Sequence, residues 1–280
     1  MADRGGAQAS YGATVASSPR IGSTFAVSDR LLIGGGTFLG VLAVWELVAR
    51  SGLINPLFIS SPTLVAGAWY HLFSEGEIWN DLRVSATEFL AGYLMAAGVA
   101  IPLGLAVGWY RRLSYLLGPF IDTLNAVPRV TLLPLIVIWC GIGLWSKIVV
   151  VFLGAVIPLL INTAAGVRTN EERFLRVARS FGASQLRIFW TIVLPGTVPF
   201  IFTGLKYAAG RALLGVVVGE LYAATAGIGF LIAVSGNSFQ TDKVFAGILI
   251  VTFTGLLTVE VLNRLERRFE AWRPRVGSVA

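Results

Sequence analysis

The sequence predicts an all-α polytopic membrane protein with six transmembrane helices, on three observations. Hydrophobic residues fill 55% of the 280 positions and charged residues 13%, about half the charged share of a soluble domain. The apolar residues gather into six runs, each near the length of about 20 residues that crosses hydrocarbon as a helix. None shows the apolar–polar alternation over about ten residues that marks a membrane strand. The basic residues, finally, are shared unequally between the segments joining the runs. The same composition excludes whole classes of chemistry. Cys140 is the only cysteine and His71 the only histidine, so disulfide frameworks, thiolate clusters and histidine pairs are out. No phosphate-binding Gly-x-x-x-x-Gly-Lys loop, His-Glu-x-x-His or Gly-x-Ser-x-Gly motif occurs, and no bond-breaking chemistry is expected.

Residues 1–28, rich in Ala, Ser and Gly, are expected to form a disordered cytoplasmic tail rather than a cleaved signal peptide. The spans then run roughly Leu31–Ala49, Val84–Trp109, Tyr115–Cys140, Trp145–Val167, Ile192–Ala224 and Val244–Asn263. With the amino terminus inside, fifteen basic residues face the cytoplasm, while Arg50, Arg83, Lys147 and Lys243 face out. That asymmetry places both termini in the cytoplasm. It assigns the net charge of +7 to topology and contact with anionic membrane lipid, not to nucleic acid. Residues 29–265 form the membrane domain and 266–280 a cytoplasmic tail.

Between the first two spans, Ser61-Pro62 starts a helix whose Leu64, Val65, Ala68, Trp69, Leu72 and Phe73 share a face. It either lies on the outer membrane surface or packs over the bundle. His71 reads as a solvated side chain. Glu46 and Arg50 have a pairable helical spacing. Gly36 and Gly40, Gly104 and Gly108, and Gly215 and Gly219 suit either close packing within one chain or a dimer face.

The third span carries Pro119, Pro128 and Pro134 with Arg129 among them. Proline removes a backbone donor and breaks helices. Broken backbone at membrane depth needs protein or a wet cavity around it, and an arginine there needs a partner or water. Pro128, Arg129 and Pro134 are therefore candidates to border a translocation path, with Arg129 positioned to attract an anion. A short dipping loop with Arg129 reaching the interface is the competing reading. Glu220, deep in the fifth span, fits two roles: a path residue, or an anchor for the backbone donors of a neighbouring helix. Glu88 in the second span fits the same two.

The most polar interior stretch, Arg168–Thr191, reads as two short helices, over Glu171–Phe181 and after Gly182-Ala183-Ser184. Gly182 suits the left-handed residue that ends a helix, and Ser184 suits a cap for the next. A polar elbow of this kind facing the cytoplasm suits either a docking element or a passive connection.

Here the chain resembles a family. Permease subunits of ABC-type importers carry Glu-Ala-Ala, three residues, Gly, nine residues, Ile-x-Leu-Pro. This chain has Arg176-Val177-Ala178, then Arg179-Ser180-Phe181, Gly182-Ala183-Ser184, and Ile192-Val193-Leu194-Pro195 in the same spacing. Arg176 and Val177 depart from the pattern, which removes the glutamate's salt bridge and suggests a partner surface suited to arginine. From about Ser61 to Leu231, segments such as Val127-Pro128-Arg129, Leu132-Leu133-Pro134-Leu135, Ser146-Lys147-Ile148 and Gly227-Ile228-Gly229 resemble the nitrate, sulfonate and taurine group. Cys140 stands where that group usually has phenylalanine.

The resemblance implies a type I ABC-importer permease bundle in a bacterial inner membrane. Two copies would form the pore, two ATPase subunits would dock beneath, and an extracytoplasmic solute-binding protein would deliver a small anion. The elbow would be the coupling helix. ATP and Mg would act in the ATPase, with no cofactor on this chain. The alternative is an ion-gradient-driven secondary transporter, which often shows matched broken helices in two halves; no such repeat is visible. An intramembrane hydrolase would need a paired nucleophile and base or two aspartates, and Asp122 is the only aspartate within the spans.

Overall fold

A computed structural model describes residues 27–55, 57–170 and 172–269, and all their regular structure is helical. The expected tails, 1–28 and 266–280, lie outside the described residues apart from their inner ends. In chain order the helices are α1 (Val27–Arg50), α2 (Pro62–Ser74), α3 (Ile78–Trp109), α4 (Arg111–Ala126), α5 (Leu133–Cys140) and α6 (Leu144–Arg168). They continue with α7 (Glu172–Ser180), α8 (Gln185–Ile188), α9 (Leu194–Ala223), α10 (Ile228–Asn237) and α11 (Thr241–Arg267). Five helical stretches are long and apolar enough to cross a membrane, or six if α4 and α5 form one broken span.

The centre is α6, packed between α3 and α9. Val151, Ala155 and Leu159 of α6 are fully buried with Ala96 and Ala100 of α3 and Ala208 and Ala212 of α9. Small residues bring these backbones together, as they must where lipid supplies no hydrophobic drive for helix association. A Cβ on Gly104 would come within 2.7 Å of the Thr163 Cβ and 2.8 Å of the Leu160 carbonyl oxygen, and one on Gly92 within 2.6 Å of the Val151 Cβ. Gly104, Gly108 and Gly215 thus serve packing within the chain. Gly36 and Gly40 on α1 face open space.

α2 begins where the sequence predicts it, with the Ser61 hydroxyl accepting the Leu64 N–H. It packs over the bundle, burying Val65, Ala68 and Leu72 against Ile228, Ala246 and Ile250. α1 joins through Glu46, which pairs with Arg50 and accepts the Thr63 N–H at 3.1 Å. His71 is exposed beside Glu75.

Two spans differ from expectation. The third is not one helix: α4 ends at Ala126, a short 3₁₀ turn covers Arg129–Leu132, and α5 leaves at 88° to α4. Of its prolines, Pro119 is carried inside α4 and Pro134 falls in the first turn of α5, where no donor is needed. Pro128 stands at the break itself. The fifth span begins at Gln185 instead of Ile192, because α8 passes into α9 through a π turn at Phe189–Val193. That turn sits directly before Pro195, whose missing N–H leaves a gap in the ordinary ladder. The sequence reading also missed α10, a helix too short to span.

Candidate functional site

The elbow between α6 and α9 is built around a helix end. The Ala183 N–H donates to the Ala178 carbonyl at 3.1 Å and the Gly182 N–H to that of Arg179 at 3.0 Å. This double closure requires a left-handed residue, and Gly182 supplies it at φ 75°. Ser184 then caps α8 by accepting the Arg187 N–H at 3.3 Å.

The inner side of the elbow is anchored. Ala178, Ala183 and Ile192 pack on buried Val167, Ile188 and Val193. Asn170 donates to the carbonyls of Gly166 and Val167 at 3.1 Å, and its Oδ1 rests against Gly196. The outer side is bare: Val177, Leu186 and Phe181 are exposed, Phe181 by 85%. Arg176, Arg179 and Ser180 are exposed beside them, while Leu194 and Pro195 lie half-buried where α9 begins. An apolar tip rimmed by arginine, on a rigidly held turn, has the features of a surface that another protein covers.

At the other end of α9 lies a buried polar knot. The α10 helix starts at Gly227, a residue with no side chain to cap it, and its acceptors come from α3 and α9. Asp81 accepts the Gly227 N–H at 2.8 Å, Ser85 the Ile228 N–H at 2.9 Å, and Glu220 the Gly229 N–H at 2.6 Å. The Ser85 hydroxyl also donates to Glu220 at 2.5 Å. Carboxylates are favoured at a helix start because its free N–H groups carry partial positive charge. Gly227, at φ 121°, presses against the Glu220 carboxylate so closely that a Cβ has no room. Beside the knot, Lys147 Nζ lies 3.4 Å from Glu88 Oε1, with both side chains buried.

A third polar locus lies midway along α9. The break after α4 carries Arg129 toward Arg211, and both line one cavity of about 320 Å³ with Pro128 at its edge and Gly154 of α6 in its wall. Arg129 Nη2 donates to Asn125 at 3.4 Å, and Arg211 Nη2 to the Tyr207 hydroxyl at 3.1 Å.

The family described as binding-protein-dependent transport system inner membrane component matches residues 99–271. The chain belongs to that family. It is 34% identical over 264 residues to the taurine transport system permease protein TauC of Escherichia coli K12, covering 92% of this chain and 96% of that one. It is 31% identical over 233 residues to the putative aliphatic sulfonates transport permease protein SsuC of Bacillus subtilis 168, covering 83% and 84%. Its fold matches a chain of the inward-facing MetNI methionine ABC transporter with a TM-score of 0.58 at 16% identity, over 69% of this chain and 94% of that chain.

The protein is thus a multi-pass inner-membrane permease of the ABC-importer class, a transport subunit and not an enzyme. The permease holds Pro128 and Arg129 at one cavity, while Glu220 sits apart in the knot and Pro134 inside the first turn of α5. Sequence reasoning counted Lys147 only among the basic residues of the outer side; the fold buries it to 6% exposure, with Glu88 of α3 opposite. It also passed over Asp81, Ser85, Asn170 and Arg211. Asp81, Ser85 and Glu88 recur on one face of an apolar helix, a polar stripe that was there to be read. Arg211 four residues after Tyr207 was a second such signal.

Proposed function

We propose that the permease works as a pair of identical copies forming one pore, with two ABC ATPases on the cytoplasmic side and a solute-binding protein outside. ATP and Mg act on the ATPases. Both termini lie in the cytoplasm, in keeping with the arginine distribution. The solute is a small molecule bearing a sulfonate group, taurine or an aliphatic sulfonate, the class named for the relatives TauC and SsuC.

The observation that carries this reading is the elbow. Its residues Arg176–Ser184 form the ATPase contact, with Phe181 and Val177 entering an apolar hollow and the arginines meeting acidic groups at its edge. The elbow is continuous with a helix running from Gln185 to Ala223. Closure of the ATPase pair on ATP then displaces one end of a stiff rod whose far end holds α10 through Glu220. The bundle shifts between inward- and outward-open arrangements, with ATP binding favouring the second. In this reading Glu220 anchors the rod, and Pro128, Arg129 and the break before Pro134 border the path.

Co-expression with the ATPase and measurement of subunit stoichiometry test the proposal. Two ATPases per two permeases are expected for the native chain. Phe181→Asp is expected to lose them while keeping the native unfolding temperature, since the side chain contributes little to the fold. Retention of the ATPase by Phe181→Asp removes the elbow as the contact, and a native chain that binds no ATPase overturns the assembly.

A further inference from the structure

We propose that Arg129 and Arg211 form an anion-selective site in the translocation path, holding the sulfonate group of the solute in transit; this rests on the importer reading above. Arg211 stands twelve residues before the outer end of α9 at Ala223. That is about 18 Å along a helix rising 1.5 Å per residue, close to the middle of a hydrocarbon core about 30 Å thick. Its side chain is exposed, and Arg129 beside it is half-buried.

Both arginines line the same cavity. Among the described residues, no carboxylate lies within ion-pair distance of either. Their polar partners are the neutral Asn125 and Tyr207, each four residues away on its own segment. Tyr207 also lies under the Arg211 guanidinium, 5.5 Å from its centre. These contacts orient the two cations and leave their charge unmatched.

Two unmatched cations at mid-depth do not face lipid. They face water, and they favour whatever anion enters. The same chain pairs its buried lysine, Lys147, with Glu88, so the missing counter-charge at Arg129 and Arg211 is a local feature. The planar donor fork of arginine suits an oxyanion, which accepts two parallel N–H bonds. A cavity of about 320 Å³ with Gly154 and Gly215 in its wall leaves space for a sulfonate group. Arg211 and Tyr207 thereby become specificity-determining residues, with Tyr207 in the positioning role.

The test uses the whole transporter in proteoliposomes, with its ATPases and its binding protein loaded with taurine as probe. Arg129→Met and Arg211→Met remove charge from membrane depth, so the bundle tolerates them. Each is expected to keep ATP hydrolysis stimulated by the loaded binding protein, while taurine imported per ATP falls by about tenfold or more, the effect of losing a charged hydrogen bond. Arg211→Lys restores part of the loss, because charge returns without the fork. Unchanged taurine per ATP in both methionine variants overturns the site. So does loss of ATP stimulation together with uptake in an assembled complex, which makes the arginines part of coupling. Failure of both methionine variants to assemble, with assembly of the lysine variant, also overturns it and assigns the charges to structure. A native complex that hydrolyses ATP but imports no taurine removes the solute class proposed above, a result distinct from active native and variant complexes.

Discussion

Replacing Lys147 by Met breaks the buried pair with Glu88 without leaving a hole, since methionine fills nearly the same length. The lysine side chain is 8% exposed and the glutamate 1%, 3.4 Å apart. Glu88 would then remain buried near Glu220 with no cation beside it. Removal of one member of such a pair typically lowers stability by about 3–5 kcal/mol, whereas replacing both by apolar groups of similar volume is close to neutral. Lys147→Met is therefore expected to destabilise the bundle by about 3 kcal/mol or more, and Glu88→Leu with Lys147→Met to return within about 1 kcal/mol of native. Reversible unfolding in mixed micelles against the mole fraction of dodecyl sulfate, followed by tryptophan fluorescence, gives all four corners of the double-mutant cycle. A single variant as stable as native refutes the reasoning, as does a double variant no better than the single.

Two further outcomes test the fold. Ser85→Ala removes the hydroxyl that bridges Ile228 N–H and Glu220, a loss of about 1–3 kcal/mol to the start of α10; hydrogen exchange at the first amides of α10 is expected to rise, and unchanged exchange rejects the bridge. Gly104→Leu is expected to force α3 from α6 and lower stability by about 1–3 kcal/mol or more. Gly98→Leu, which meets open space, is expected to unfold as native does, and equal effects at the two positions reject the packing account.

Much of the fold was legible because lipid simplifies the code. An apolar run of sufficient length spans, so the spans were readable without knowledge of their neighbours. The elbow was legible for a different reason. Gly182 and Ser184 act on backbone groups within a few residues, and local rules describe local contacts. The break in the third span was visible in its prolines, but not which proline breaks it. Pro119 continues a helix that Pro128 ends, and the choice depends on what packs against each.

The charged residues divide along the same line. That Glu88, Lys147, Glu220, Arg129 and Arg211 lie in or beside apolar spans is a property of the sequence alone. Their roles belong to the tertiary structure. Ser85 meets Glu220 across 135 residues and Asp81 meets Gly227 across 146, separations over which spacing says nothing. A helical membrane bundle, its spans and the elbow after the fourth span follow from residue order, because hydropathy and capping act within a helix or a turn. Packing of α3, α6 and α9 decided which charges are neutralised, Lys147 by Glu88, and which stay unmatched, Arg129 beside Arg211. The physical reason is that a charge's worth in a low-dielectric bundle is set by the few ångströms around it, and only the folded chain specifies what stands there.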